Sequence, residues 1–419
     1  MTSPDWLTAD FLKSCLESDK ENTQKVTVTG FTVEPAAPPG SNYGCCVSRV
    51  NVQYVEVGGE DNQQSVSLIV KSPVVGGFME EFSDFMRDIY ETEPKYYNDF
   101  ISATYKWSKH NIVPKHYKSP KPLCVVLEDL RSSGYLMADR HELLDFHQCR
   151  LYAETSAKLH ALSVAVYKEH PEIIEALVKQ SPDFVEKGRQ AFKVMWTVGL
   201  RCMAAYLEDK PDYREYWEFI KTAEENDNLW NIFQEMEKNN HQLKALIQAD
   251  PWCTNMMFKH NALGEATGIK IFDFQSLKYT TPVREFVTFI WSSVKLEVRQ
   301  SKLDDLYHLY CDSLNGYLEE FECTEKIAFE DFKAEILSFS PLVVLMLCCV
   351  LPFSLVDGAI ELATYLTEET LKVPIKESPA YQTYQGKAFK KIYPQILDQI
   401  AKEGVFDYLR VKMDQLKSK

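Results

Sequence analysis

Between residues 25 and 71, apolar and polar positions alternate in "KVTVTGFTVEP", "CCVSRVNVQYVEV" and "QSVSLIVKSP", separated by the breaks "AAPPGSNYG" and "GGEDNQ". A period of two sends successive side chains to opposite faces, so three antiparallel strands are expected here. After Gly76 and Gly77 the spacing changes: Phe78, Phe82, Phe85 and Ile89 recur at helical intervals, and Pro94 is expected to kink or restart that helix. "KPLCVVLEDL", at 121–130, reads as a further buried strand ending in acids. From about residue 140 the pattern is helical, with Leu144, Leu151, Thr155, Leu159 and Leu162 on one face, and similar patterns fill 183–208, 212–248, 283–321 and 330–415. One interruption stands out. "TNMMFKHNALGEATGIKIFDFQ" holds two short apolar runs joined by a polar, glycine-bearing loop, which predicts a β-hairpin over 254–273 embedded in the helical region. The fold class expected is therefore α+β, with a small antiparallel first domain at 1–130 and a large, mainly helical second domain at 131–419.

Composition narrows the function. The chain has 419 residues, 45% of them hydrophobic, enough to bury a large core. Its net charge of -15, with lysines and arginines dispersed, argues against a nucleic-acid partner. The eleven cysteines show no CxxC spacing, which fits reduced thiols and a cytoplasmic protein. The longest apolar run, "PLVVLMLCCVLPFSL" at 341–355, is too short to span a bilayer and is expected to be a buried helix, with no membrane partner. At the N-terminus Ser3 is placed to cap a helix with Pro4 in its first turn, where a signal peptide would need a basic segment and an apolar one.

The hairpin brings in chemistry. Its strands run antiparallel, so Asn255, entering the first, and Asp273, leaving the second, are expected side by side. With Asp250, five residues before Asn255, they supply two carboxylates and an amide oxygen, the hard ligands that Mg²⁺ takes. On this reading Asp250 accepts a proton from an incoming hydroxyl, while Asn255 and Asp273 hold metal bound to nucleotide phosphates. The plainer reading of Asp250-Pro251 is a turn. An aspartate ending the apolar strand "IFDFQ" is the stronger signal, because a carboxylate there must be satisfied by metal or by donors.

The first domain supplies the remaining parts of a phosphoryl-transfer site. Lys71 closes the strand "VSLIVK", where its ammonium would reach the α and β phosphates, and Glu93 on the following helix is positioned to pair with it. "PPGSNYG" is the candidate phosphate-covering loop, with Gly40, Ser41, Asn42 and Tyr43 at its centre and Gly44 closing it. In "CVVLEDL" the backbone of Glu128, Asp129 and Leu130 would meet the adenine edge, their acidic side chains being equally suited to structure.

In order along the chain, "GSNYG", "LIVKSP", "ETEPKYY", "VVLEDL", "AKLHALS", "DPWCTNMMF" and "IFDFQSLKYTTPV" resemble the ecdysteroid kinase-like family, relatives of choline and aminoglycoside kinases with a bilobal, protein-kinase-like fold. The resemblance covers about 40–285. It implies Asp250 as catalytic base, Asn255 and Asp273 as magnesium ligands, Lys71 as phosphate-binding lysine and Glu93 as its partner. It also implies ATP and Mg²⁺ as cofactors, and transfer of phosphate to the hydroxyl of a small-molecule alcohol, an ecdysteroid-like steroid or a detoxification intermediate. A catalytically silent, nucleotide-binding pseudokinase is the alternative. Where the family usually has His-Gly-Asp, this chain has Gln248, Ala249 and Asp250, and alanine for glycine is costly only if that position needs a positive φ, at on the order of 1 kcal/mol.

Other chemistry finds less support. The nine histidines form no HExxH or HxH, and no GxSxG elbow occurs. His160 in "AKLHALS" is expected to be a packed core histidine. Trp252, Tyr279, Tyr381 and Tyr384 are candidates to line a hydrophobic acceptor pocket, with core packing the better reading of each.

Overall fold

A computed structural model describes residues 4–19, 24–36, 45–58, 62–73, 83–180, 182–239, 241–356 and 368–417. By compactness the chain divides into two units: one of 1–137, 166–181 and 256–277, the other of 138–165, 182–255 and 278–419.

The first unit is built on a five-stranded sheet of order β1-β2-β3-β5-β4, formed by β1 (Val26–Pro35), β2 (Cys46–Glu56), β3 (Gln64–Ser72), β4 (His116–Tyr117) and β5 (Val125–Glu128). All its pairings are antiparallel. The alternation in the sequence decides its faces. Val50 and Val52 of β2 and Leu68 and Val70 of β3 are buried together under the N-terminal helix Ala9–Leu16, which contributes Phe11, Leu12 and Cys15. That helix is capped by Thr8, whose hydroxyl accepts the Phe11 amide at 3.2 Å; Ser3, the expected cap, lies outside the described residues. Because side chains alternate along a strand, Lys71 emerges on the face opposite Leu68 and Val70. β3 is also central, pairing Lys71 with Val47 of β2 and Val125 of β5, which fixes its backbone on both sides.

The helix Ser83–Lys95 runs through Pro94 and continues as a π-helical turn, Tyr96–Ile101. Proline offers no N–H to the ladder, and the wider turn directly after it is the form the disruption takes. Residues 78–82 of the expected helix lie outside the described residues.

The hairpin is present, as β8 (Met256–His260) and β9 (Ala266–Ile271), with Met256 opposite Ile271. A short strand β6 (Leu136–Met137) pairs with β8 and makes it three-stranded. The Ile271 amide donates to the Ile112 carbonyl at 2.9 Å, and Lys270 is ion-paired with Glu128. These bonds group the hairpin with the first unit, whereas the sequence pattern grouped it with the helical residues 131–419.

The second unit is mainly helical. Its long helices are Phe146–Glu169, which ends in the first unit, Pro182–Leu207, Pro282–Ser293 and Leu296–Glu320. The expected helix over 212–248 is instead two helices, Arg214–Glu224 and Asn228–Met236, followed by a strand, β7 (Ala245–Ile247), which pairs with β10 (Lys278–Thr280). Three residues are too few for a period to show. The run at 341–355 is buried as expected, with a π-helical turn, Met346–Val350, between two helical pieces. Among the described residues no single helix is long and apolar enough to cross a membrane. All eleven cysteines are free thiols.

Candidate active site

In the first unit, three of the sequence-predicted residues meet at one cation. Lys71 Nζ lies 2.6 Å from Glu93 Oε2 and 2.7 Å from Asp273 Oδ1. Glu93, on the last turn before Pro94, also accepts the Phe274 amide on Oε1 at 3.3 Å. The Phe274 ring stacks on Tyr96 with centroids 3.9 Å apart. The helix that supplies Glu93 thereby also grips the chain just beyond Asp273, and the three charged groups are placed by one packed assembly. Asp273 itself has φ of 67°, a left-handed conformation that aspartate tolerates better than most residues.

The charges are unequal in number. Burial disfavours the Lys71 ammonium, but Asp273 and Glu93 outweigh it and hold the amine well above its ordinary range. Glu93 is pushed up by burial, and Asp273 adds to that rise against the pull of Lys71. With one cation between two carboxylates, the group keeps an excess negative charge when all three are ionised, a setting that favours a further cation. Beside the lysine is a narrow cavity lined by Cys45, Ser72, Ile89, Leu123 and Gln275. Burial pushes the Cys45 thiol up to about 12, which keeps it protonated at neutral pH.

At the end of β5 the acidic side chains are engaged by neighbouring donors. Asp129 accepts from Arg49 Nε at 2.7 Å, Ser67 Oγ at 2.9 Å and the Arg131 amide at 3.2 Å. Glu128 accepts the Lys115 amide at 2.9 Å as well as the Lys270 ammonium. The buried Leu130 opens a 3-10 turn, Leu130–Ser133, that closes with Gly134 in the left-handed region. The backbone of 128–130 is thus held at the end of β5, the Glu128 amide donating to the Lys115 carbonyl at 2.9 Å and the Asp129 amide to the Ser67 carbonyl at 3.1 Å. Gly40, Ser41, Asn42 and Tyr43 lie outside the described residues.

In the second unit, β7 leads into the loop that carries Asp250. Asn255 Nδ2 donates to the Asp250 carbonyl at 2.9 Å and to Asp250 Oδ2 at 3.0 Å. The five-residue spacing therefore closes a loop on itself, and the bonds made by Nδ2 turn the amide oxygen Oδ1 the other way. Asn255 is buried and directly precedes β8, while Asp250 is half-buried.

Two features of this loop were not legible. Ala249 has φ of 62°, so alanine stands where glycine would be relaxed, at a cost of about 1 kcal/mol. The second is Glu285, in the first turn of the helix Pro282–Ser293, all of whose residues are buried. Its Oε2 accepts the amides of Gln248 at 2.5 Å and Ala249 at 3.2 Å. Its Oε1 accepts the Tyr152 hydroxyl at 2.9 Å and lies 3.2 Å from His160 Nε2. His160 in turn meets the Tyr310 hydroxyl through Nδ1 at 2.8 Å. Burial alone would push the Glu285 carboxyl up, but His160, Tyr152 and the Ala249 amide together hold it below its ordinary value. The signal that could have found it is an acid within "TPVREFVTFIW", where a wholly apolar face was otherwise due. His160 is buried, as expected of a core histidine, and bonded through both ring nitrogens.

The sequence model of the ecdysteroid kinase-like family matches residues 39–323, more than half of the chain. The chain belongs to the ecdysteroid kinase-like family. That membership supports small-molecule kinase activity in general. No curated protein matches this chain in sequence. Among solved structures, this ecdysteroid kinase-like chain is similar to a spectinomycin phosphotransferase, APH(9)-Ia, in complex with ADP and spectinomycin, at 12% identity over 96% of this chain and 100% of that one, with a TM-score of 0.44. An ethanolamine kinase of Plasmodium vivax is similar at 10% identity over 90% and 83%, with a TM-score of 0.38. A choline/ethanolamine kinase family protein of Mesorhizobium loti is similar at 11% identity over 89% and 92%, with a TM-score of 0.31. At such scores these likenesses carry no argument about the chemistry.

By donor type, Asp273 in the first unit offers a magnesium ion a carboxylate within a group of excess negative charge. In the second unit Asn255 has an amide oxygen turned from its own hydrogen bonds. Among the described residues no group of three or more His, Cys, Asp or Glu side chains is arranged to hold a metal alone. Mg²⁺ is commonly held by one or two side chains together with substrate phosphates, so the shortage of acidic ligands does not count against it. Of the aromatic acceptor-pocket candidates, Tyr384 is fully buried and donates to the Cys348 carbonyl at 2.6 Å, which makes it a core residue.

Proposed function

We propose that this ecdysteroid kinase-like protein is an ATP-dependent phosphotransferase acting on the hydroxyl of a small-molecule alcohol, an ecdysteroid-like steroid or a xenobiotic alcohol. The observation that carries the proposal is Lys71 paired at once with Glu93 and Asp273. A lysine held between one buried and one half-buried carboxylate is an expensive arrangement for stability alone, and one suited to receiving phosphate oxygens in place of one carboxylate.

In this proposal residues 1–130 hold the nucleotide and 131–419 carry the loop and acceptor site. Lys71 neutralises the α and β phosphates, Glu93 keeps it from swinging away, and the backbone of Glu128, Asp129 and Leu130 meets the adenine edge. Gly40, Ser41, Asn42 and Tyr43 cover the phosphates. Asn255 and Asp273 would hold Mg²⁺, which supplies charge neutralisation at the phosphates when bound. Asp250 takes the proton of the acceptor hydroxyl as its oxygen bonds to the γ-phosphorus and the bond from phosphorus to the β–γ bridging oxygen breaks, releasing ADP. Asn255, by holding the Asp250 carboxylate, fixes its direction.

The test is transfer of labelled phosphate from ATP to a panel of steroids and plant alcohols, with Asp250→Asn as the silent control. Phosphorylation of at least one alcohol by wild type alone is expected. A protein that shows a magnesium-dependent thermal shift with ATP yet phosphorylates none of the panel is a pseudokinase, the reading that the Gln248-Ala249 departure favours.

A further inference from the structure

We infer that Lys278 and Arg284 form an oxyanion subsite beside the Asp250 loop, which takes a carboxylate, sulfate or phosphate ester carried by the acceptor alcohol. The inference rests on the functional reading above and narrows its acceptor to an anionic alcohol.

Three elements of the second unit meet at this point. Lys278 opens β10, Arg284 lies in the buried first turn of the helix Pro282–Ser293, and Glu237 directly follows the helix Asn228–Met236. Glu237 bridges the two cations: its Oε1 accepts from Arg284 Nη1, and its Oε2 lies 3.5 Å from Lys278 Nζ. The neighbouring Glu285 is engaged elsewhere, by Gln248, Ala249, Tyr152 and His160. Among the described residues, then, two positive charges share one carboxylate, a positive excess within a chain of net charge -15. A guanidinium and an ammonium together present more N–H donors than two carboxylate oxygens engage. The bridge itself shows what chemistry the pair accepts, an oxyanion held by one oxygen on each cation.

The two cations differ in depth. The Arg284 side chain is 10% exposed and that of Lys278 45%, so the pair has a buried floor and an open rim, and an anion arriving from solvent meets the lysine first. Burial pushes the guanidinium down to about 10, which leaves it charged at neutral pH but stripped of water that a further oxyanion can replace. Position ties the pair to the proposed reaction. Lys278 pairs with Ile247 across the ladder of β7 and β10, and Ile247 precedes Asp250 by three residues. One ladder spacing and three residues of chain put the Lys278 backbone within roughly 15 Å of the base. An alcohol whose hydroxyl meets Asp250 and whose anionic group ends a fused-ring body suits that span. Most of an acidic chain repels such a molecule, so a local cation pair would both attract it and fix which end faces the base.

The experiment uses the full chain and three probes: a hydroxylated steroid carboxylate, its uncharged methyl ester, and inorganic sulfate. Binding is measured by titration calorimetry on wild type, Lys278→Met and Glu237→Gln, with the thermal midpoint of each recorded. Wild type is expected to bind the carboxylate about tenfold more tightly than the ester, with sulfate competing against the carboxylate and not against the ester. Lys278→Met, a change at a half-exposed side chain, should remove most of that preference at an unchanged midpoint. Glu237→Gln should tighten carboxylate and sulfate binding by about threefold or more and leave the ester as it was, because it releases both cations. A purely structural ion-pair network predicts the reverse, a lower midpoint and no gain in affinity. Glu237→Gln that binds neither anion more tightly than wild type overturns the inference. Sulfate binding that Lys278→Met weakens, without any preference of wild type for carboxylate over ester, also overturns it, since the pair would then serve free anions. If wild type binds the carboxylate as expected but phosphorylates no alcohol, the proposed function fails while the subsite stands.

Discussion

Lys71 and Asp273, 202 positions apart, are joined by a hydrogen-bonded ion pair of 2.7 Å, with Glu93 on the lysine's other side at 2.6 Å. Each partner comes from a different kind of element: a central strand, the chain beyond a hairpin strand, and a helix end. Removing the lysine would leave two carboxylates facing each other in a site from which water is largely excluded. We expect Lys71→Met to lower unfolding free energy by about 3 kcal/mol or more, and addition of Glu93→Gln to recover part of that loss. Urea denaturation of the single and double variants checks this, and strictly additive losses would contradict it.

Asp250→Asn is expected to separate chemistry from folding. Its amide oxygen still accepts from Asn255, so the loop closes as before, but the proton acceptor is gone. Phosphoryl transfer should fall by roughly 10²–10⁴ with the thermal midpoint unchanged. A comparable fall in midpoint would show that the aspartate acts mainly as a turn residue.

Ala249→Gly should stabilise the protein. The left-handed backbone at this position is relaxed for glycine, an effect partly offset by the greater freedom of glycine in the unfolded chain. A net gain of about 0.5 kcal/mol is expected in chemical denaturation.

Two helical glycines should respond with opposite signs. A methyl at Gly199 would meet Cys349 Sγ at 2.3 Å and the Cys348 carbonyl at 2.9 Å, the second being backbone that cannot step aside. Gly199→Ala should cost about 1–3 kcal/mol. At Gly316 nothing lies within 4 Å of the added methyl, and Gly316→Ala should gain about 0.5–1 kcal/mol in helix propensity. Equal effects in denaturant titrations of the two variants would refute the packing argument.

The acid limb of stability should carry the mark of Glu285. Its carboxyl is held below the ordinary 4.5 in the folded chain, so the unfolded chain binds the proton more readily. The stabilisation this confers is complete above about 4.5 and is lost as pH falls through the lower folded value. Between pH 5 and 3 the thermal midpoint of wild type should fall more steeply than that of Glu285→Gln, which has no proton to gain. Parallel curves would rule this linkage out.

Much of the fold and part of the site were set locally and could be read from the chain. Strands β1, β2 and β3 declare themselves by a period of two, and Lys71 by ending one of them. The hairpin follows from two apolar runs around a turn, and Asp250 and Asn255 from a spacing that one loop closes. Periodicity and turn chemistry are properties of neighbouring residues, so sequence by itself decided them. What only the tertiary structure decided depends on residues far apart in the chain. The pairing of Lys71 with Asp273, the two-strand sheet of β7 and β10, the grip of Glu285 on Gln248 and Ala249, and the positive φ at Ala249 are of this kind. A backbone angle that alanine disfavours, or a carboxylate buried in an apolar helix, is held in place only by the partners that packing brings to it, and no local pattern names those partners.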